Sequence, residues 1–355
     1  MQFIMPGGGT GGHVIPAIEV ARILRERGHE PAFVGTRRGL ESELVPQAGF
    51  PIEWIEIGGL KGISFAKRAR TAVQIPASVF RAHSILRRLQ PAAVFSMGGY
   101  VAGPVVIAAA LRRVPVVVME PNAIPGATNR YAGRWVARAL LTFEETAKWF
   151  PRGRTVLTGL PVRREFFEIP RKERSGTITV LITGGSQGSQ TLNRAATGSW
   201  PLFRDAPFRV RLIHQTGTRE HEQIAARFLT AGIDGEVVPF IRDMPDAFRQ
   251  ADIVVCRSGA GAIAELAAAG RPAILVPYPF ATDNHQQKNA EALARAGAAH
   301  LILDRDLQGA RLFDEIARLA CEPGELERMS DAVRRFAKPH AAEQAADILE
   351  EVACR

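Results

Sequence analysis

The chain opens with a short apolar strand signal, Gln2 to Met5, that runs directly into PGGGTGGHVIPA and then into an amphipathic stretch from Val14 to Arg27. Gly7, Gly8, Gly9, Gly11 and Gly12 crowd this loop. A backbone without Cβ atoms can take positive φ, turn sharply and bring its N–H groups close to a phosphate or sugar at the positive end of the next helix. A strand-to-helix turn needs one or two glycines, so the surplus points to a ligand site. The arrangement recurs about 180 residues later, where TITVLIT, Thr177 to Thr183, leads into GGSQGSQ and a helix starting near Thr191. With domains commonly running to about 150 residues, two such units predict two related α/β domains.

The pattern between these landmarks agrees. In the first half, strands are expected near Gln2–Met5, Pro31–Gly35, Ile52–Ile57, Ala92–Ser96, Pro115–Met119, Ala139–Thr142 and Thr155–Leu157. In the second half they are expected near Thr177–Thr183, Arg209–Gln215, Glu236–Val238, Ile253–Cys256, Ala273–Val276 and Ala299–Ile302. Strands alternating with helices imply doubly wound, mostly parallel sheets with ligands at the carboxyl ends of the strands. A linker from Gly159 to Arg174 holds two prolines and mixed charge.

At 355 residues and 46% hydrophobic, the chain can bury two sizeable cores, and it has no run of about 20 apolar residues that would span a bilayer. Met1 leads straight into a strand, without the basic and apolar regions of a secretory signal. Cys256, Cys321 and Cys354 are odd in number and scattered, which favours a reducing cytoplasm over a disulfide or zinc framework. Charge is uneven. Residues 1–165 hold 22 Lys+Arg against 11 Asp+Glu, while the remainder has a balance of −2. A basic half suggests an anionic partner: a membrane surface, nucleic acid or a phosphorylated substrate. From Lys61 onwards Ile63, Phe65, Ile75, Val79 and Phe80 interleave with Lys67, Arg68, Arg70, Arg81, Arg87 and Arg88, which suits an element resting among anionic headgroups or a core helix with a basic wet face. No nucleic-acid-binding signature accompanies the charge.

Gly7, Gly9 and Gly12 also satisfy GxGxxG, the spacing of dinucleotide-binding, hydride-transferring proteins. That fingerprint requires an acidic residue about 20 positions on, at the end of the second strand, to hold a ribose hydroxyl. The second strand ends instead in Thr36, Arg37 and Arg38. Arginines there suit a 2′-phosphate, so an NADP-dependent reading stays open. His13, a polar ring at the helix start, speaks against it.

Further loops fall where ligands of such sheets bind. SMGGYVAG, Ser96 to Gly103, follows a strand and places Tyr100 among glycines. Ile253–Cys256 ends in RSGAGAIAEL, where Ser258 is expected to cap a helix whose N–H groups face a diphosphate and Glu265 lies further along that helix. PYPFATDNHQQKNA, Pro277 to Ala290, gathers amide and acidic side chains suited to sugar hydroxyls.

In this order GGGTGGH, SMGGYVAGP, EPN, GLPVR, GGSQGS, FIRDM, CRSGAGAIAE and DNHQQKNA closely resemble the motif series of the MurG family, the UDP-N-acetylglucosamine transferases of peptidoglycan lipid synthesis. The resemblance spans essentially the whole chain. It implies the α/β GT-B fold, two Rossmann-like domains facing across a cleft. The first, residues 1–163, would face acceptor and membrane and regain the C-terminal helix of 341–355; the second, residues 164–340, would bind the UDP-sugar. It further implies Ser186 and Gln187 near phosphates or sugar, and Ile241 against uracil. Ala260, Gly261, Ala262, Ile263, Ala264 and Glu265 would hold diphosphate and ribose, with Glu265 on the ribose hydroxyls. Asp283 and Gln286 would face the sugar, beside Gln287. From the first domain Thr10, Gly11, Gly12 and Asn122 would close over the donor, Arg163 would add positive charge, and His13 and Tyr100 would stand closest to the acceptor. Three departures from the family pattern are visible: Pro121 and Leu160 replace amide residues, and Ala262 a frequent threonine.

The expected activity is inverting transfer of N-acetylglucosamine from UDP-N-acetylglucosamine to the 4-hydroxyl of a lipid-diphosphate-linked N-acetylmuramyl-pentapeptide, at the cytoplasmic face of an anionic membrane. His13 is the preferred base. No cofactor and no metal are expected, since no DxD-type motif falls in a plausible loop, and helix N-termini with arginine can hold the leaving diphosphate. Another UDP-sugar transferase acting on a membrane lipid remains the nearer alternative, the NADP-dependent oxidoreductase the more distant one.

Overall fold

Strand β1 (Gln2–Pro6) lies at the middle of a sheet, with Phe3, Ile4 and Met5 fully excluded from water. A continuous apolar run of this kind marks a strand covered on both faces. It pairs in parallel with β2 (Glu30–Gly35) on one side and β4 (Ala93–Ser96) on the other. With β3 (Ile52–Trp54), β5 (Val116–Glu120), β6 (Arg138–Leu141) and β7 (Thr155–Leu157) it forms an all-parallel sheet of order β3-β2-β1-β4-β5-β6-β7. The computed structural model describes residues 1–9, 11–57, 65–173, 176–281, 284–322 and 324–355, and over 65–73 the backbone only.

Helices α1 (Gly11–Glu26), α2 (Glu41–Gln47), α3 (Phe65–Leu89), α4 (Gly99–Leu111) and α5 (Ala127–Ala132) join the strands. The chain winds outward from β1 to β3 and then returns to β4, so right-handed crossovers put α1 and α2 on one face and α3, α4 and α5 on the other. The packing follows: α1 meets α2, while α3 lies along α4 and α4 along α5.

In the second unit β8 (Thr177–Thr183), β9 (Arg209–Gln215), β10 (Asp234–Val238), β11 (Ile253–Cys256), β12 (Ala273–Leu275) and β13 (His300–Leu301) build a parallel sheet of order β10-β9-β8-β11-β12-β13. Around it run α6 (Gln190–Phe203), α7 (His221–Ala231), α8 (Met244–Gln250), α9 (Ala260–Ala269), α10 (His285–Arg295), α11 (Gly309–Cys321) and α12 (Glu325–Arg334). Its core gathers Val180, Ile182, Leu192, Trp200, Leu212, Val255, Ile274, Leu312 and Ile316. A strand lies at each predicted place. β3 stops at Trp54 instead of reaching Ile57, and β13 keeps only His300 and Leu301; both are edge strands with a partner on one side.

The chain divides into Met1–Arg163 with Lys338–Arg355, and Arg164–Ala337. Its last helix, α13 (Ala341–Ala353), packs on α1 of the first unit. Ala345, Ala346, Leu349 and Val352 are its buried stripe, and Arg27 stands 2.7 Å from Asp347 and 2.9 Å from Glu350, which also meets His29 at 2.8 Å. Among the described residues no helix is long and apolar enough to cross a membrane.

On α3 the structure corrects part of the expected apolar stripe. Val79 packs inward against the core formed by Ala82, Ile85 and Leu86, Ile75 is half-buried, and Arg88 pairs with Glu53 at 2.7 Å. Phe80 alone of the three expected apolar contacts stands out, 78% exposed, beside exposed Arg81 and Arg87. The reason is helical period: Val79 shares a face with Ala82 and Leu86, whereas Phe80 is rotated off it. The side chains of Phe65, Lys67, Arg68 and Arg70, and Ile63 altogether, lie outside the described residues.

Docking of α13 yields a stability prediction. Leu349→Ala removes a fully buried side chain and should cost about 2–5 kcal/mol in urea unfolding of the first unit. A loss below about 0.5 kcal/mol, the range of surface substitutions, would mean that the helix is not packed there.

Candidate active site

Strand order reverses between β1 and β4 in the first sheet and between β8 and β11 in the second. Ligands of doubly wound sheets bind beyond the carboxyl ends of the strands at such reversals. The loops leaving these strands are the four glycine-rich tracts singled out above, at Gly7, Met97, Gly184 and Arg257.

In the first unit two of them interlock. Tyr100, at the start of α4, lays its ring over Gly9, where a Cβ would come within 3.1 Å of Cε1. His13, in the first turn of α1, rests against Gly99, its Nδ1 3.5 Å from where a Cβ would stand. Gly98 and Gly99 both take positive φ, 79° and 78°, a conformation that L side chains rarely adopt and that lets the chain turn from β4 straight into α4. The fold thus brings half-buried His13 and Tyr100 onto neighbouring loops, with Gly11 and Gly12 opening α1. Thr10 lies outside the described residues.

Asn122 is placed by a residue that the sequence reading passed over. Glu120, the last residue of β5, is 1% exposed. Its Oε1 accepts from the Asn122 N–H at 3.0 Å and from Asn122 Nδ2 at 3.3 Å; its Oε2 accepts from the Gly126 N–H at 3.1 Å and from Asn129 Nδ2 at 2.9 Å. Burial raises its carboxyl above the ordinary range, and these donors work against the rise. Pro121 offers no N–H here, so the loop draws its donors from Asn122 and Gly126. Thr128 Oγ1 donates to the Gly99 carbonyl at 2.8 Å, which ties this loop to the one carrying Tyr100. Leu160, another departure from the family pattern, is buried; Arg163 is half-buried at the end of the unit.

The second unit is organised by Gln215 and Arg257. Buried Gln215 donates from Nε2 to Thr183 Oγ1 at 3.2 Å and to the Gly185 carbonyl at 2.7 Å, while its Oε1 accepts from the Ile241 N–H at 2.9 Å. One amide therefore fixes both the loop that presents exposed Ser186 and Gln187 and the backbone of Ile241. Arg257 donates to Ser189 Oγ at 2.7 Å, to Asp304 Oδ1 at 2.5 Å and to the carbonyls of Val276 and Pro277. Ser189 in turn caps α6 by accepting from the Leu192 N–H.

The first turn of α9 has no side-chain cap. Ser258, expected in that role, is fully buried and donates instead to the Gln286 carbonyl at 2.9 Å, because Gly259 occupies the cap position. Ala260 and Ile263 face the core, whereas Gly261, Ala262, Ala264 and Glu265 are half-buried. Gln286 accepts from the Tyr278 N–H at 2.9 Å through Oε1 and sets Nε2 beside Gly259. The Gln287 amide accepts from Asn284 and donates to Glu291. Asp283 lies outside the described residues. Cys256 closes β11 beneath this turn; burial, with Glu265 adding to it and Arg257 opposing, pushes its thiol up to about 12 and leaves it inert. Among the described residues no group of three or more His, Cys, Asp or Glu is placed to hold a metal ion.

Two contacts on the first loop count against the dinucleotide reading: the Gly9 N–H donates to Glu41 Oε2 at 2.8 Å, and Arg37, one of the two arginines suited to a 2′-phosphate, stacks over Trp54 at 4.9 Å. Neither partner was legible from motif spacing.

Comparison with known proteins agrees with this geometry. Residues 3–141 match the glycosyltransferase family 28 N-terminal domain and residues 179–351 the glycosyltransferase family 28 C-terminal domain. The UDP-N-acetylglucosamine--N-acetylmuramyl-(pentapeptide) pyrophosphoryl-undecaprenol N-acetylglucosamine transferase of Solibacter usitatus (strain Ellin6076) is 58% identical, over 99% of this chain and 96% of its own. Its namesake in Anaeromyxobacter sp. (strain Fw109-5) is 42% identical, over 100% of this chain and 94% of its own. The crystal structure of Acinetobacter baumannii MurG matches with a TM-score of 0.80 at 31% identity, covering 99% of both chains. With a doubly wound α/β sheet in each unit, the chain has the GT-B fold and belongs to glycosyltransferase family 28, within its MurG branch of N-acetylglucosamine transferases.

Proposed function

We propose that the chain is an inverting glycosyltransferase moving N-acetylglucosamine from UDP-N-acetylglucosamine to the 4-hydroxyl of a lipid-diphosphate-linked N-acetylmuramyl-pentapeptide, a step of peptidoglycan synthesis. The observation that carries this reading is the 58% identity to the Solibacter usitatus enzyme over nearly the full length of both chains. The donor is assigned to the second unit. The uncapped N–H groups of α9 suit the diphosphate, Glu265 the ribose hydroxyls, exposed Ser186 and Gln187 the phosphates or sugar, and Gln286 Nε2 a sugar hydroxyl. With its N–H held by Gln215, Ile241 has its side chain and carbonyl left for uracil. Asp283 is assigned to the sugar on the family pattern alone.

Transfer with inversion needs a base to take the proton of the acceptor hydroxyl as its oxygen attacks the anomeric carbon, and positive potential where the diphosphate departs. His13 is assigned as base, with Tyr100 beside the acceptor. Arg163 and the α9 dipole take the leaving-group charge, so no metal is required for that task.

Membrane binding is assigned to the face bearing α3 and α4, where Phe80 is 78%, Leu111 70% and Ile107 39% exposed and Arg81, Arg87 and Arg113 are exposed nearby in sequence. Apolar side chains among cations suit peripheral attachment to an anionic leaflet.

In excess EDTA the purified chain should transfer N-acetylglucosamine to the muramyl lipid and not to a diacylglycerol; rescue by magnesium or manganese would overturn the metal-free assignment, and a preference for diacylglycerol the acceptor assignment. His13→Ala should lower kcat by about 10²–10⁴-fold with donor binding retained, whereas Glu265→Ala should weaken UDP binding by about 1–3 kcal/mol in calorimetry. Turnover near wild type in the first, or unchanged UDP affinity in the second, removes that residue from its role. Replacing Phe80 and Leu111 by serine and Arg81 and Arg87 by glutamine should abolish co-sedimentation with anionic vesicles while sparing UDP binding; undiminished co-sedimentation would show that this face does not meet the membrane.

A further inference from the structure

Glu41 belongs to no motif in the series above, yet it is fully buried in the first unit. It is the first residue of α2, and its side chain turns back beneath the first glycine loop. Oε2 accepts from the Gly9 N–H at 2.8 Å, while Oε1 accepts from the Thr36 N–H at 2.9 Å and from Thr36 Oγ1 at 2.7 Å. Among the described residues no cation pairs with it; its partners are these donors from the ends of β1 and β2. Gly8, Gly35 and Gly39 surround the carboxylate so closely that a Cβ on any of them would collide with the Glu41 side chain. Part of the glycine surplus is therefore room for this side chain, not for a ligand.

A buried carboxylate is costly unless its hydrogen bonds are complete, and once complete it is a rigid anchor in a loop whose glycines would otherwise leave it free. Gly9 is the residue over which Tyr100 lies, and the chain enters α1 and His13 within a few residues of it. We propose that Glu41 is a positioning residue of the transferase: through Gly9 it fixes the loop that sets His13 and Tyr100 for the acceptor. This rests on the assignment of His13 to the acceptor given above. Glutamate is the residue the geometry requires. Glutamine would turn an NH₂ group towards one of the backbone donors, and aspartate lacks the methylene needed to span from α2 to both loops.

The test uses the full chain with Glu41→Gln, His13→Ala and the double variant, reading kcat with the muramyl lipid and UDP affinity by calorimetry. Glu41→Gln should lower kcat by about 10–100-fold, as misplacement of reacting groups by about 1 Å does, and leave UDP affinity within about twofold. Because the routes overlap, Glu41→Gln should slow the His13→Ala enzyme less than it slows the parent, the remainder being the share that runs through Tyr100. Unchanged kcat in Glu41→Gln, multiplicative losses in the double variant, or a parallel fall in UDP affinity would each overturn the proposal. A His13→Ala enzyme at wild-type turnover would instead overturn the base assignment, and with it the route through His13. If Glu41→Gln does not fold, Thr36→Val removes only the hydroxyl donor; a several-fold fall in kcat then supports the proposal and an unchanged kcat sinks it.

Discussion

Parallel pairing of β1 with β4, and of β8 with β11, decides where everything else stands. Each pairing joins strands distant in sequence and reverses the winding of its sheet, which opens a crevice at the carboxyl ends because successive helices leave for opposite faces. Loops that are far apart in the chain therefore converge: Gly9 meets Tyr100, and Arg257 meets Ser189. The burial that enforces the pairing is extensive. Phe3, Ile4, Val94, Phe95, Val180, Ile182, Val254 and Val255 are all fully covered, each contributing about 1.5–3 kcal/mol relative to exposure, so the crevices are fixed by cores that no ligand touches.

Glycine gives these loops close approach but no fixed shape, and the shape comes from buried polar side chains reaching in from elsewhere. Glu41 holds the first loop, Glu120 the Asn122 loop, Gln215 the loop at Gly185, and Arg257 the start of α6. Each satisfies backbone groups that would be costly to bury alone. The Arg257–Asp304 pair illustrates the trade. At 13% and 17% side-chain exposure its net stabilisation is small, since desolvation offsets attraction, but its geometry pins three segments at once.

What the sequence made legible follows from this division. Strands such as TITVLIT and IVVC announce themselves because both faces are buried, so β-branched and apolar residues follow one another without a charge. Glycine tracts after strands announce the crevices. Glu41 was invisible because its partners sit at Gly9 and Thr36, and nothing in a run of residues signals that a carboxylate turns inward instead of to water. Ser258 misled for a related reason: serine before a helix reads as a cap, but here Gly259 takes that position and the hydroxyl serves the Gln286 carbonyl. Val79 and Phe80 are adjacent and equally apolar, and only the helix phase against α4 separates core from surface.

The anchors also differ in charge between the two units, and that difference bears on what each crevice can hold. In the first unit the loops are held by the carboxylates Glu41 and Glu120, which use up backbone donors and subtract positive potential at Gly9, Asn122 and Gly126. In the second they are held by a neutral amide and by a guanidinium paired with Asp304, with no unpaired carboxylate among them, and the first turn of α9 keeps its donors uncapped. A nucleoside diphosphate concentrates negative charge and gains most from the second arrangement, whereas a sugar hydroxyl that must lose a proton gains from a neutral imidazole held in place without a strong surrounding cationic field. The charge of the buried anchors, more than the count of glycines, thus distinguishes the two crevices in halves with the same winding.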